Sequence, residues 1–197
     1  TRLRELAYLN KGIKLTLTDT REDQLVSEEN ENGETSFKEK SETFFSEKGL
    51  LEFVSYLDGT REKLTESPIY LETDKTGIPI EIAMQYNTGF SETIFSYTNN
   101  INTHEGGTHL TGFQGALTRC INSYAKSAGL LKGDKDSMKG NDTREGLAAV
   151  ISVKVPEPQF EGQTKEILGT SAVRAIVAKV VDKEITARLN SSARQDK

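Results

Sequence analysis

Residues 147–155, Leu-Ala-Ala-Val-Ile-Ser-Val-Lys-Val, form a nearly continuous apolar run. Such a run is the mark of a central strand, because an edge or half-solvated strand alternates apolar with polar positions. Pro156 and Pro158 follow at once and oppose further ladder pairing. The remainder of the chain must therefore supply sheet partners and a covering layer. At 197 residues it is long enough for about one domain, or a domain plus a tail. The apolar residues make up 35% and the charged ones 28%, lean for a core but outside the disordered range.

Partners for that strand are legible upstream. Ile69 and Leu71 alternate with polar neighbours, Asp74-Lys75-Thr76-Gly77 reads as a turn, and Ile78, Ile80, Ile82, Met84 and Tyr86 form a period-two stripe. With 93–98 as a third β run, 69–98 is expected to be an antiparallel meander with one face buried. Helical spacing predicts a short helix over 2–10, a second over 49–58, and two long ones. The first long helix runs over 108–128, with Leu110, Phe113, Leu117, Cys120, Ile121 and Tyr124 on one stripe. The second runs over 171–190, with Ser171 as its expected N-cap and Val173, Val177, Val180, Ile185 and Leu189 as its apolar seam. Ile13, Leu15 and Leu17 predict a half-buried strand over 13–19. The polar, acidic stretch 20–36 reads as a solvated loop or hairpin tip, and 43–45 as a short strand. The fold class is α+β, a mixed sheet with helices packed on one face.

Composition narrows function by exclusion. The single cysteine, Cys120, excludes an internal disulfide and any cysteine-rich zinc module; on its helix stripe it reads as a small core residue. No apolar run approaches the ~18 residues of a membrane helix. A net charge of −5 argues against a globally basic nucleic-acid binder, while local basic patches stay open. The chain opens Thr1-Arg2-Leu3 without an initiator Met or signal pattern, which reads as a piece of a longer cytoplasmic protein.

Three motifs bear on chemistry. His104 and His109 flank Glu105-Gly106-Gly107-Thr108, but they stand five apart around a Gly-Gly pair, whereas the zinc-protease motif needs two histidines four apart on one helical face. A loop running into a helix start is the reading here. Gly106-Gly107 reads first as a tight turn against the sheet, with an anion nest as the second choice. Residues 156–165 form a rigid loop after the central strand, ending in an amide, a hydroxyl and an ammonium at Gln163, Thr164 and Lys165. Two readings stand for it: a solvated loop feeding the last helix, or a phosphate-binding loop in which Lys165 supplies the charge and Gln163 a donor.

The stretches RELAYLN (4–10), GIPIEIAMQYN (77–87), NNINTHEGGTHLTGF (99–113) and DTREGLAAVISVKVPEPQFEGQTKEILG (142–169) together resemble the transducer domain of the DNA gyrase B subunits, in the type IIA topoisomerase family. The B subunits of topoisomerase IV are the nearest rival. The match runs over nearly the whole chain except 20–48. It implies a ribosomal-protein-like two-layer sandwich with a left-handed βαβ crossover through the 108–128 helix. It implies an entry helix or linker at 1–12, the transducer domain at 13–170, and a C-terminal helix at 171–197 leading toward the DNA-cleavage region. Carried over residue by residue, Gln163 and Lys165 match the loop reaching the γ-phosphate of ATP, with Thr164 between them; this favours the phosphate reading. ATP and Mg2+ would be held mainly by an upstream ATPase domain, and the isolated chain would be inactive. Implied partners are the gyrase A subunit, a second B subunit in a homodimer, and double-stranded DNA, in the cytoplasm, with no membrane and no metal site in this segment. Gln114 stands where many members carry Arg or Lys facing the DNA cavity, and Arg119 on the same helix faces either solvent or DNA. A stand-alone binding module on the same fold is the alternative from a different class.

Overall fold

The computed structural model describes residues 2–21, 24–29, 35–131, 133 and 136–195. The chain divides into two compact units, Thr1–Glu52 and Phe53–Lys197. In the first, α1 (Arg2–Leu9) precedes β1 (Leu15–Asp19), β2 (Val26–Glu29), β3 (Thr35–Lys38) and β4 (Lys40–Phe44). β1 pairs antiparallel with β4, and β2 with β3. The stretch read as a loop or hairpin tip is thus partly a strand pair, and its middle, 30–34, lies outside the described residues. The expectation of a half-buried strand over 13–19 is corrected: Ile13 and Leu17 are 50% and 55% exposed. Period-two alternation makes a strand and chooses a face, but burial needs a covering layer, and β1 is one half of a two-stranded ribbon.

α2 (Leu50–Asp58) leads into the second unit, which contains β5 (Ile69–Thr73), β6 (Ile80–Tyr86), β7 (Thr93–Thr98), β8 (Ile101–Asn102), β9 (Gly106–Gly107), α3 (Thr108–Ser127), α4 (Gly140–Arg144), β10 (Leu147–Val153), β11 (Phe160–Glu161), β12 (Ile167–Leu168) and α5 (Ser171–Gln195). The main sheet has the order β5-β6-β10-β7-β8. Every residue of β10 is buried, and it lies antiparallel to β6 and parallel to β7. This corrects the 69–98 meander. β5 and β6 do form a hairpin, but β10 inserts between β6 and β7, since a strand apolar on both faces gains most at the sheet centre. The parallel β7–β10 pair requires a long crossover, and α3 is its main element. The chain is α+β with mixed sheets, as its pattern predicts.

The two long helices share one face of the sheet. Phe113, Leu117 and Cys120 of α3 and Val173, Val177, Val181 and Ile185 of α5 join Ile82, Met84, Ala149 and Ile151 in a single buried cluster. On the other face the ring of Phe53, from α2, meets Phe95 edge-on at 6.0 Å and Tyr97 at 5.9 Å, so the short helix packs opposite the long pair. α3 and α5 approach closely at Gly112, where a Cβ would lie 2.5 Å from the carbonyl oxygen of Arg174. Ser171 is the first residue of α5 rather than the residue preceding it.

Candidate functional site

β11 and β12 are short because the segment between Pro158 and Gly169 must turn back on itself within ten residues. They pair antiparallel, with Phe160 opposite Leu168 and Glu161 opposite Ile167. The hairpin base is closed twice: Gly169 N donates to Gln159 O at 2.8 Å, and Gln159 N to Thr170 Oγ1 at 2.9 Å. β9 adds a parallel third strand, Gly106 against Ile167 and Gly107 against Leu168. Glu105 N donates to Glu166 O at 3.2 Å, and Thr108 Oγ1 to Thr170 O at 2.8 Å. The hairpin is therefore laced to the start of α3. The Gly-Gly pair performs the close approach to the sheet, with Gly107 at φ 135°.

At the hairpin tip Gln163, Thr164 and Lys165 are all exposed. Lys165 has φ +57°, a left-handed backbone rare for a side chain of its size. Its Nζ lies 5.9 Å from the centroid of the Phe160 ring, and no carboxylate among the described residues pairs with it. The Thr164 hydroxyl donates to Glu166 Oε2 at 3.1 Å, so that oxygen is turned toward its own hairpin. The tip thus presents an amide and an ammonium on an anchored base, a donor set that suits a phosphate oxygen.

Gln114 and Arg119 are not brought to this tip or to each other. Gln114 is half-buried and its Nε2 donates to Glu92 Oε1 at 3.3 Å, while Glu92 Oε2 accepts from Arg144 Nε at 2.8 Å. Arg119, read as solvent- or DNA-facing, is exposed and pairs with Asp182 of α5 at 2.8 Å. Glu92 and Arg144 carry no local pattern that would single them out. Nor do Glu72, Asp74, Glu81, Ser152 and Lys154, which line a cleft of about 380 Å³ containing none of the residues expected at the site.

His109 sits inside α3's first turn, fully buried, with its Nε2 at 2.9 Å from Thr103 Oγ1. Thr103 Oγ1 also lies 2.9 Å from Ser96 O, and among the described residues His109 Nδ1 has no hydrogen-bond partner. Burial pushes its pKa down to about 4. His104 is exposed on the preceding loop. Cys120 is buried beside Asp182 and Thr186, and burial raises its thiol pKa, as befits a core residue.

The DNA gyrase B family model matches residues 49–197, and so covers both the main sheet and the hairpin. The chain belongs to the DNA gyrase B family. The DNA gyrase B protein of Cytophaga aurantiaca is 53% identical over 196 residues, all of this chain and 39% of that protein. The chain thus spans about two fifths of the length of that relative. The 43K ATPase domain of Thermus thermophilus gyrase B, solved with an aminocoumarin, is similar with a TM-score of 0.77 at 34% identity, covering 98% of this chain and 48% of that one. The topoisomerase IV ATP-binding domain of Francisella tularensis is similar with a TM-score of 0.70 at 26% identity, covering 96% of this chain and 46% of that one. Among the described residues no helix is long and apolar enough to cross a membrane.

Proposed function

We propose that this chain is the transducer segment of a DNA gyrase B protein, coupling the nucleotide state of a neighbouring ATPase domain to passage of one DNA duplex through another and to negative supercoiling. The observation that carries this reading is the exposed Gln163–Lys165 tip held on a hairpin that is laced through β9 to α3. ATP, when bound, supplies a terminal phosphate whose charge the tip can meet. Lys165 stabilises that charge, and Gln163 holds a phosphate oxygen or orients the attacking water. When Lys165 loses its charge partner the hairpin is released, and β9 passes the change to α3 and so to the helix layer. Thr164 plays the smaller part, its hydroxyl being engaged by Glu166. On the resemblance, this reading assigns Mg2+ to the neighbouring ATPase domain and routes no step through the ion here.

The same reading gives cytoplasmic placement and, as partners, the gyrase A protein, a second gyrase B protein and double-stranded DNA. Gln114 and Arg119 would face the DNA cavity from α3. The corresponding protein of topoisomerase IV is the second reading, favoured by the likeness to the Francisella domain. The higher identity to gyrase B chains supports the first.

The test is Lys165→Ala in the full-length protein. Loss of a charge placed on a transferring group is worth about 100-fold or more in turnover. Removal of an exposed loop Lys leaves the melting temperature within error. Near-normal turnover would sink the assignment. The 197-residue chain alone is expected to show no ATP turnover above buffer background.

A further inference from the structure

We infer that Phe160 is the positioning residue of Lys165: its ring face parks the ammonium when no phosphate is present and sets the reach from which Lys165 meets one. The inference rests on the functional reading above. It starts from the 5.9 Å separation between Lys165 Nζ and the Phe160 ring centroid, inside the outer limit of about 6 Å for a cation held by an aromatic face. Two features make that arrangement specific. Phe160 is half-buried and packs against the main apolar cluster, so the ring is fixed from below. The left-handed backbone at Lys165 turns the chain back at the end of the hairpin turn, toward the strand that carries Phe160.

The alternative holder is close by, but among the described residues no carboxylate forms an ion pair with Lys165. Glu166 follows Lys165 directly, but its Oε2 accepts from the Thr164 hydroxyl. A carboxylate would hold the ammonium by a charge-assisted hydrogen bond that competes with phosphate. A ring holds it weakly enough to give it up, while sparing part of the rotamer entropy that a free lysine loses on binding. The ring thus acts as a resting place for a charge that must be both ordered and available.

The test has two arms. In the 197-residue chain, NMR should show the Lys165 ε-methylene protons shifted upfield by the ring current. The shift should vanish in Phe160→Leu, which keeps an apolar side chain, and persist in Phe160→Tyr. In the full-length protein, Phe160→Leu should lower kcat/KM for ATP by about 2–5-fold, the size of an exposed cation–ring contact. Phe160→Tyr should restore it, and Phe160→Leu should cause no further loss in a Lys165→Ala background. Unshifted Lys165 protons, an unchanged kcat/KM in Phe160→Leu, or a loss that persists without Lys165 would each overturn the proposal; the last would mean that the ring serves packing. If Lys165→Ala itself leaves turnover intact, the functional reading falls, while the NMR arm still decides where the ammonium rests.

Discussion

Gly107 lies so close to Leu168 that a Cβ added to it would meet the Leu168 carbonyl oxygen at 2.4 Å. The obstacle is backbone, which cannot swing aside, and φ 135° at Gly107 disfavours any other residue in addition. Gly107→Ala should therefore destabilise the second unit by about 2–4 kcal/mol, combining backbone strain with overpacking. Chemical denaturation of the 197-residue chain measures it. A change below about 0.5 kcal/mol, the ordinary scatter of surface substitutions, would mean that β9 and β12 separate without loss.

Gly112 tests the helix layer in the same way. An added methyl meets the Arg174 carbonyl oxygen, so α3 and α5 must move apart. Gly112→Ala is expected to lose about 1–3 kcal/mol despite the better helix propensity of Ala, which would favour the variant by up to about 1 kcal/mol. Gly115 on the same helix is exposed and has only the flexible Arg119 side chain nearby. Gly115→Ala should accordingly stabilise. If both variants stabilise, the close crossing is not tight in solution.

His109 gives a pH signature. Its folded pKa of about 4 lies below the usual 6.5, so the unfolded chain binds the extra proton first. The stability it contributes is whole above pH 6.5, falls as pH drops from 6.5 toward 4, and levels off below. The span is worth about 3 kcal/mol at roughly 1.36 kcal/mol per unit. In His109→Gln the slope of stability over that pH window should flatten, read from urea midpoints at several pH values. An equal slope in both proteins would assign the acid sensitivity to other groups.

The Gln114–Glu92–Arg144 arrangement modifies what a new positive charge on α3 would do. An arginine introduced at that position would stand beside Glu92, which already pairs with Arg144. Gln114→Arg alone should steepen the salt dependence of duplex DNA binding by well under one unit. Added to Glu92→Gln, it should steepen it by about one. Fluorescence anisotropy at several salt concentrations separates the cases. A full unit from Gln114→Arg alone would show that Glu92 does not capture the charge.

What could be read before the structure depended on the range of each interaction. The stripe Ile80, Ile82, Met84 and the run 147–153 announce their strands because periodicity is local. The order β6-β10-β7 is not local: chain adjacency suggested that β6 and β7 pair, and only the two-faced burial of β10 argues for a strand between them. At the site, residue types left two readings of Gln163 and Lys165 open, and the resemblance chose between them. The anchoring that gives the tip its geometry joins Gly107 to Leu168, far apart in the chain, and left only a Gly-Gly pair as its trace. The Arg119–Asp182 pair and the Glu92 bridge are likewise contacts between distant segments and leave no spacing signal.

The placement of β10 also fixes a timetable for synthesis. Leu147 leaves the ribosome 49 residues after Thr98, the last residue of β7. At about 5–20 residues per second, β6 and β7 wait for roughly 2–10 s with the edges that will receive β10 unpaired. During that interval the nascent sheet has a gap at its centre, where a strand from another chain could pair. Slowing the emergence of residues 99–146 from the ribosome should therefore lower the soluble yield, while slowing emergence after 153 should leave the yield unchanged.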